Sequence, residues 1–155
     1  MDSLENAMRI MIEGMWKQNK PSLGENGCAY RGNGGCKCPA GFLIEDDEYL
    51  PFMEGKGIKG LLKLCEEACH PLKAFKGFSD YEVFIVDLFQ SAHDNVARGF
   101  YRGQRTHSGN TFFTDFLICL AQICKYQVPV FLKEEDNIKI RAISLEYLVK
   151  ERVSE

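Results

Sequence analysis

The stretch SDYEVFIVDLFQSAHDNVA, residues 79–97, decides the fold class. Ile85, Leu88, Phe89, Ala92 and Val96 recur at spacings of three and four, which puts them on one face of an α-helix. Ser79 followed three residues later by Glu82 is a capping box, in which each side chain reaches the other residue's amide. A helix with one apolar stripe has to bury it, so the chain is built by packing helices.

Working outward, four more helical patterns appear. Residues 2–18 carry Leu4, Met8, Met11, Ile12 and Met15 on one face, with Asp2 as cap and Lys20-Pro21 as the stop. Residues 58–70 place Leu61, Cys65, Ala68 and Cys69 together before Pro71. Residues 111–126 are rich in phenylalanine and leucine, and residues 144–152 read as a short closing helix. Between these last two, VPVFL (128–132) and IKIRAI (138–143) read as strands around the polar turn KEEDN. Residues 22–41 differ from all the others, holding six of the 14 glycines. There GCAYRGNGGCKCPAG predicts a β-hairpin turning at Asn33-Gly34, because both residues tolerate positive φ. The expected architecture is therefore α+β: a mostly helical single domain with a Gly-rich β-hairpin and a second small C-terminal hairpin.

Composition narrows the function. The 155 residues include 19 basic and 22 acidic ones, a formal charge of −3, which argues against generic duplex DNA binding. No apolar run reaches the length of a membrane span. Seven cysteines, an odd number, and a leader with no apolar signal core point to a cytoplasmic chain with reduced thiols.

Candidate chemistry sits in a few places. Cys36-x-Cys38 and Cys65-x3-Cys69-His70 do not make two paired knuckles, so neither a metal nor a cofactor is expected. Gly55-x-Gly57-x-x-Gly60 has the spacing of a dinucleotide fingerprint, but acids and a proline precede it where a buried strand is required. Cys28 and His93 are the nucleophile and base types for a nucleotide- or small-molecule-handling enzyme, while the plainer reading makes His93 a structural side chain beside the apolar stripe. A ligand or partner site is drawn from Tyr30, Arg31 and Lys37 of the glycine-rich segment. To these the loop 97–110 adds Arg98, Phe100, Tyr101, Arg102 and Arg105, since guanidinium groups beside aromatic rings suit an anion such as a nucleotide. The structural alternative pairs these arginines with the acids EDDE at 45–48.

The pattern Cys28-x-Tyr30-Arg31-Gly32-x-x-Gly35-x-x-Cys38-x-x-Gly41-x-Leu43-Ile44-x-Asp46-x-x-Tyr49, together with Leu88-Phe89-Gln90-Ser91-Ala92-His93-Asp94, resembles a group of small proteins from bacteria and their tailed phages. Glu45 stands where that group usually has proline. The resemblance implies a phage or prophage accessory protein and no mechanism; the expected function is binding of a host or defence component, a protein or an anionic ligand, without catalysis.

Overall fold

The computed structural model describes the backbone of residues 2–101, 109–128 and 130–154, and the side chains of these except at residues 100, 101 and 154. Helix α1 spans Ser3–Gln18 and opens on Asp2, whose carboxylate accepts the Glu5 amide at 2.7 Å. That bond holds the Asp2 carboxyl below its usual range. The helix stops at Asn19, in the left-handed conformation at φ 48°. Asn19 also accepts the Phe113 amide at 2.9 Å, so one short side chain joins the end of α1 to the start of a distant helix.

A two-stranded antiparallel sheet follows, β1 (Leu23–Gly24) with β2 (Gly27–Cys28), and then α2 (Ile58–Glu67). Helix α3 (Asp80–Tyr101) begins on the expected capping box: the Glu82 carboxylate accepts the Ser79 amide, and the Ser79 hydroxyl accepts the Glu82 amide. Helix α4 (Phe112–Gln127) is capped by Thr111. Helix α5 runs over Glu134–Ser154. The fold is thus mostly helical with one small sheet.

One hydrophobic cluster draws on all five helices. Phe89 of α3 with Phe113 and Phe116 of α4 fill its centre, all fully buried. Each contributes roughly 1.5–3 kcal/mol by removal from water. Helix α5 seals the other side, with Ile140, Ile143 and Tyr147 buried and the Tyr147 ring packed at 5.5 Å on Trp16.

Two expectations are corrected. The second C-terminal hairpin does not exist, because 138–143 lies inside α5 and residues 130–132 coil around the end of α4. The amides of Val130, Phe131 and Leu132 all converge on the Gln127 carbonyl, at 2.8–3.0 Å, which leaves no extended strand to pair. The first half of helix α5 escaped recognition because its apolar residues lie on opposite faces, so no single stripe stands out; only 144–152 was expected to be helical. The glycine-rich hairpin also sits elsewhere: its strands are β1 and β2, upstream of Asn33-Gly34. Asn33–Gly35 does form a tight turn, with Gly34 at φ 70°, closed by the Gly32 amide on the Cys36 carbonyl at 2.8 Å. No strand ladder flanks it.

Candidate functional site

Residues 29–41 have little secondary structure, so their backbone polar groups need other partners. Side chains supply them. Glu54 accepts the amides of both Tyr30 and Arg31, at 2.9 and 3.0 Å, and the Tyr49 hydroxyl at 2.7 Å. Gln18 accepts the Lys37 amide and donates to the Lys37 carbonyl, at 2.8 and 2.9 Å, which is how a neighbouring strand would pair. The buried Ser22 hydroxyl lies 2.7 Å from the Ala29 carbonyl and 3.1 Å from that of Cys36. Gln90 of α3 accepts the Ala40 amide at 3.1 Å. Sequence reasoning passed over Glu54, Gln18, Ser22 and Gln90 because each is an ordinary polar residue far away in the chain. The single available signal was Gln90, inside the motif that carries the resemblance.

Arg31 and Lys37 are committed within this framework. The Arg31 guanidinium donates to the carbonyls of Gly41 and Ile44 at 2.8 and 2.6 Å, and lies over the Tyr49 ring. Arg31 and Lys37 both reach Asp46 at 3.2 Å, and these two cations hold its carboxyl below the usual range. The acidic cluster at 45–48 thus takes these two cations. Tyr30 is buried and its hydroxyl donates to the Lys56 carbonyl; burial pushes its pKa up. Arg98 is exposed on α3 and near enough to Cys28 to act on it electrostatically. The side chains of Phe100 and Tyr101, and residues Arg102 and Arg105, lie outside the described residues.

Cys28 and His93 do come together. The sulfur of Cys28, a ring nitrogen of His93 and a carboxylate oxygen of Asp94 lie within 4.8 Å of one another. The His93 ring is fully buried, edge-on to Phe112. Its Nε2 accepts the Ser22 amide at 3.0 Å, so the proton of the neutral ring sits on Nδ1, facing Asp94 Oδ1 at 2.8 Å. Asp94 also accepts from Gln90 at 3.1 Å. Burial first, then the Asp94 charge, push the Cys28 thiol up to about 12.

This grouping bears on the chemistry. A cysteine nucleophile needs an imidazole beside its sulfur to draw the proton away. Here a carboxylate as well as the ring lies within 4.8 Å of the sulfur, and a carboxylate next to sulfur disfavours the thiolate. Neither nitrogen of His93 is free, since one accepts an amide hydrogen and the other carries its own hydrogen to Asp94. The same three groups are the set among the described residues that has metal-ligand types in reach of one ion. Ligation by these groups would release the Cys28 thiol proton and the Nδ1 hydrogen now given to Asp94. The arrangement is a hydrogen-bonded clasp that joins the loop at Ser22 to helix α3, beside Cys28 of strand β2.

Away from the clasp, the α4–α5 corner exposes Tyr126, Val130 and Phe131 together with Lys125 and Lys133. Among the described residues no helix is long and apolar enough to cross a membrane. No protein-family model matches the chain, and no curated protein or solved structure shows significant similarity to it.

Proposed function

We propose that this chain is a non-catalytic binding protein that contacts a partner protein through the α4–α5 corner. The observation that carries this reading is a contrast. The groups an enzyme would use, Cys28, Cys38 and His93, are locked or buried, whereas large apolar and basic side chains stand in solvent at the corner. Tyr126 and Phe131 are of the kind that dominates binding energy when an interface buries them. The ring of Phe131 already rests edge-on against Phe84 at 6.1 Å, so it is held in place before binding. Lys125 and Lys133, exposed on either side of this stretch of chain, the latter with its ammonium over the Tyr81 ring, favour an acidic or carbonyl-rich partner surface.

The resemblance to phage and bacterial proteins gives the reading its setting: an accessory protein in the host cytoplasm that occupies a host or defence component. The test is capture from host lysate with the intact chain, compared with a Tyr126→Ser, Phe131→Ser double variant that keeps its thermal stability. A specific partner lost by the variant supports the reading. Equal capture by both, or turnover of a metabolite that depends on Cys28, overturns it.

A further inference from the structure

Helix α5 has two apolar faces. Ile140, Ile143 and Tyr147 face the core. On the opposite side Ile138, Ala142, Leu145 and Val149 follow one another at spacings of four, three and four. Ile138, Leu145 and Val149 are 56%, 61% and 53% exposed. A 4-3-4 spacing is the seam by which one helix packs along another. Beside the seam lies a groove of about 560 Å³, with Leu117, Ile118 and Ala121 of α4 on one wall and Leu145 and Leu148 of α5 on the other.

The charges beside this seam select its occupant. Helix α5 opens on Glu134, Glu135 and Asp136 and ends with Arg152 in its last turn. Glu134 and Arg152 are both exposed and fall on the same edge of the seam, because the interval between them is five full helical turns. A twofold axis perpendicular to α5 near Ile143 brings a second α5 alongside in the opposite direction. It sets Ile138 against Val149 and Ala142 against Leu145, and each Glu134 faces the other chain's Arg152. A parallel arrangement would instead set Glu134 against Glu134 and Arg152 against Arg152. We infer that the exposed face of α5 is a homodimer interface, in which two copies of this chain pair their α5 helices antiparallel across a twofold axis. The interface is isologous and closes on itself, so it gives dimers and no filament. Antiparallel pairing also sets each helix's positive N-terminal end beside its neighbour's negative C-terminal end. The seam uses none of the corner residues of the proposed partner site, so the two readings stand or fall separately.

The test is sedimentation equilibrium of the intact chain up to about 100 μM, which reaches dissociation constants typical of weak dimers. The wild type is expected to be dimeric, and Leu145→Glu monomeric with an unchanged far-ultraviolet spectrum and melting temperature. Glu134→Arg should weaken the dimer at least about tenfold, the size of one lost charge pair plus the repulsion that replaces it. Adding Arg152→Glu in the same chain should restore it. If Leu145→Glu does not fold, Val149→Ser and the charge pair carry the test, since all three positions are exposed. A wild type that stays monomeric, a dimer indifferent to these seam variants, or a charge exchange that fails to restore assembly overturns the inference. Tyr126→Ser with Phe131→Ser should leave the dimer intact.

Discussion

Nε2 of His93 accepts the backbone amide of Ser22 at 3.0 Å, across 71 positions of sequence. The bond explains why a histidine occupies a fully buried site on α3. It satisfies an amide that no strand or helix pairs, at the point where the chain leaves α1 and enters the glycine-rich segment. His93→Ala should therefore lower stability by about 1–3 kcal/mol, from the lost packing and the stranded amide of Ser22. Chemical denaturation measures it, and an unchanged midpoint would show that the clasp contributes nothing.

Arg31 is the second fixed point. Its side chain is only 16% exposed and donates to the carbonyls of Gly41 and Ile44. Arg31→Met is expected to cost about 2–4 kcal/mol, and Arg31→Lys should recover little, because an ammonium cannot reach Gly41, Ile44 and Asp46 at once. Asp46→Asn should be far milder, since that carboxylate stands in solvent. Thermal melts of the three variants give the order, and a lysine that fully replaces the arginine would refute the geometry.

Two glycines should respond in opposite directions to alanine. A Cβ on Gly41 would lie 2.5 Å from the Tyr30 carbonyl oxygen, a backbone atom that cannot step aside. Gly41→Ala should be strongly destabilising. Gly60 sits inside α2 with open space around it, and Gly60→Ala should stabilise by roughly 0.5–1 kcal/mol through the helix preference of alanine. Melting temperatures that shift the same way for both would contradict this account.

Alkaline pH should unfold the protein before ordinary basic conditions affect most helical chains. Burial pushes the thiols of Cys28, Cys38 and Cys124 up to about 12, from an ordinary 9.0. Their protonated forms are favoured only in the folded state, so the unfolded chain binds fewer protons above pH 9. Stability is then fully present below pH 9 and is lost as pH rises towards 12, with a slope on the order of 1.4 kcal/mol per pH unit for each group. Denaturation midpoints measured between pH 7 and 11 should fall only in the upper part of that range.

The thiols give a fifth check. All seven cysteines are free, and Cys69 is the exposed one. In the native protein an alkylating reagent should modify Cys69 first, and Cys28 slowly in spite of its partial exposure. Denatured, non-reduced protein should yield all seven thiols. Fast labelling of Cys28 at neutral pH would mean that Asp94 does not hold its proton, and would reopen the case for a nucleophile.

Four helices were legible in the sequence because each has a local cause: one apolar stripe of period 3.6, joined in α1, α3 and α4 by a capping side chain. The capping box at Ser79 and Glu82 and the cap at Asp2 depend on residues three apart, so short-range reading suffices. Helix α5 was not legible in full. Apolar residues on both its faces, Ile138 and Leu145 on one and Ile140 and Tyr147 on the other, blur into a strand-like alternation at 138–143. Only packing against α1 and α4 shows which face is core and which is left in solvent.

The glycine-rich segment divides in the same way. Its turn at Asn33–Gly35 draws on positive φ at Gly34 and Gly35, while Asn33, expected to share that conformation, does not adopt it. Its partners follow from tertiary structure alone, because Glu54, Gln18, Gln90 and His93 reach it from four separate parts of the chain. Cys28 and His93 have the residue types of a catalytic pair, and sequence could say no more. Whether thiol meets imidazole or carboxylate depends on side-chain placement to within a few ångströms. The fold brings Asp94 within 4.8 Å of both, and burial together with that carboxylate keeps the proton on the sulfur.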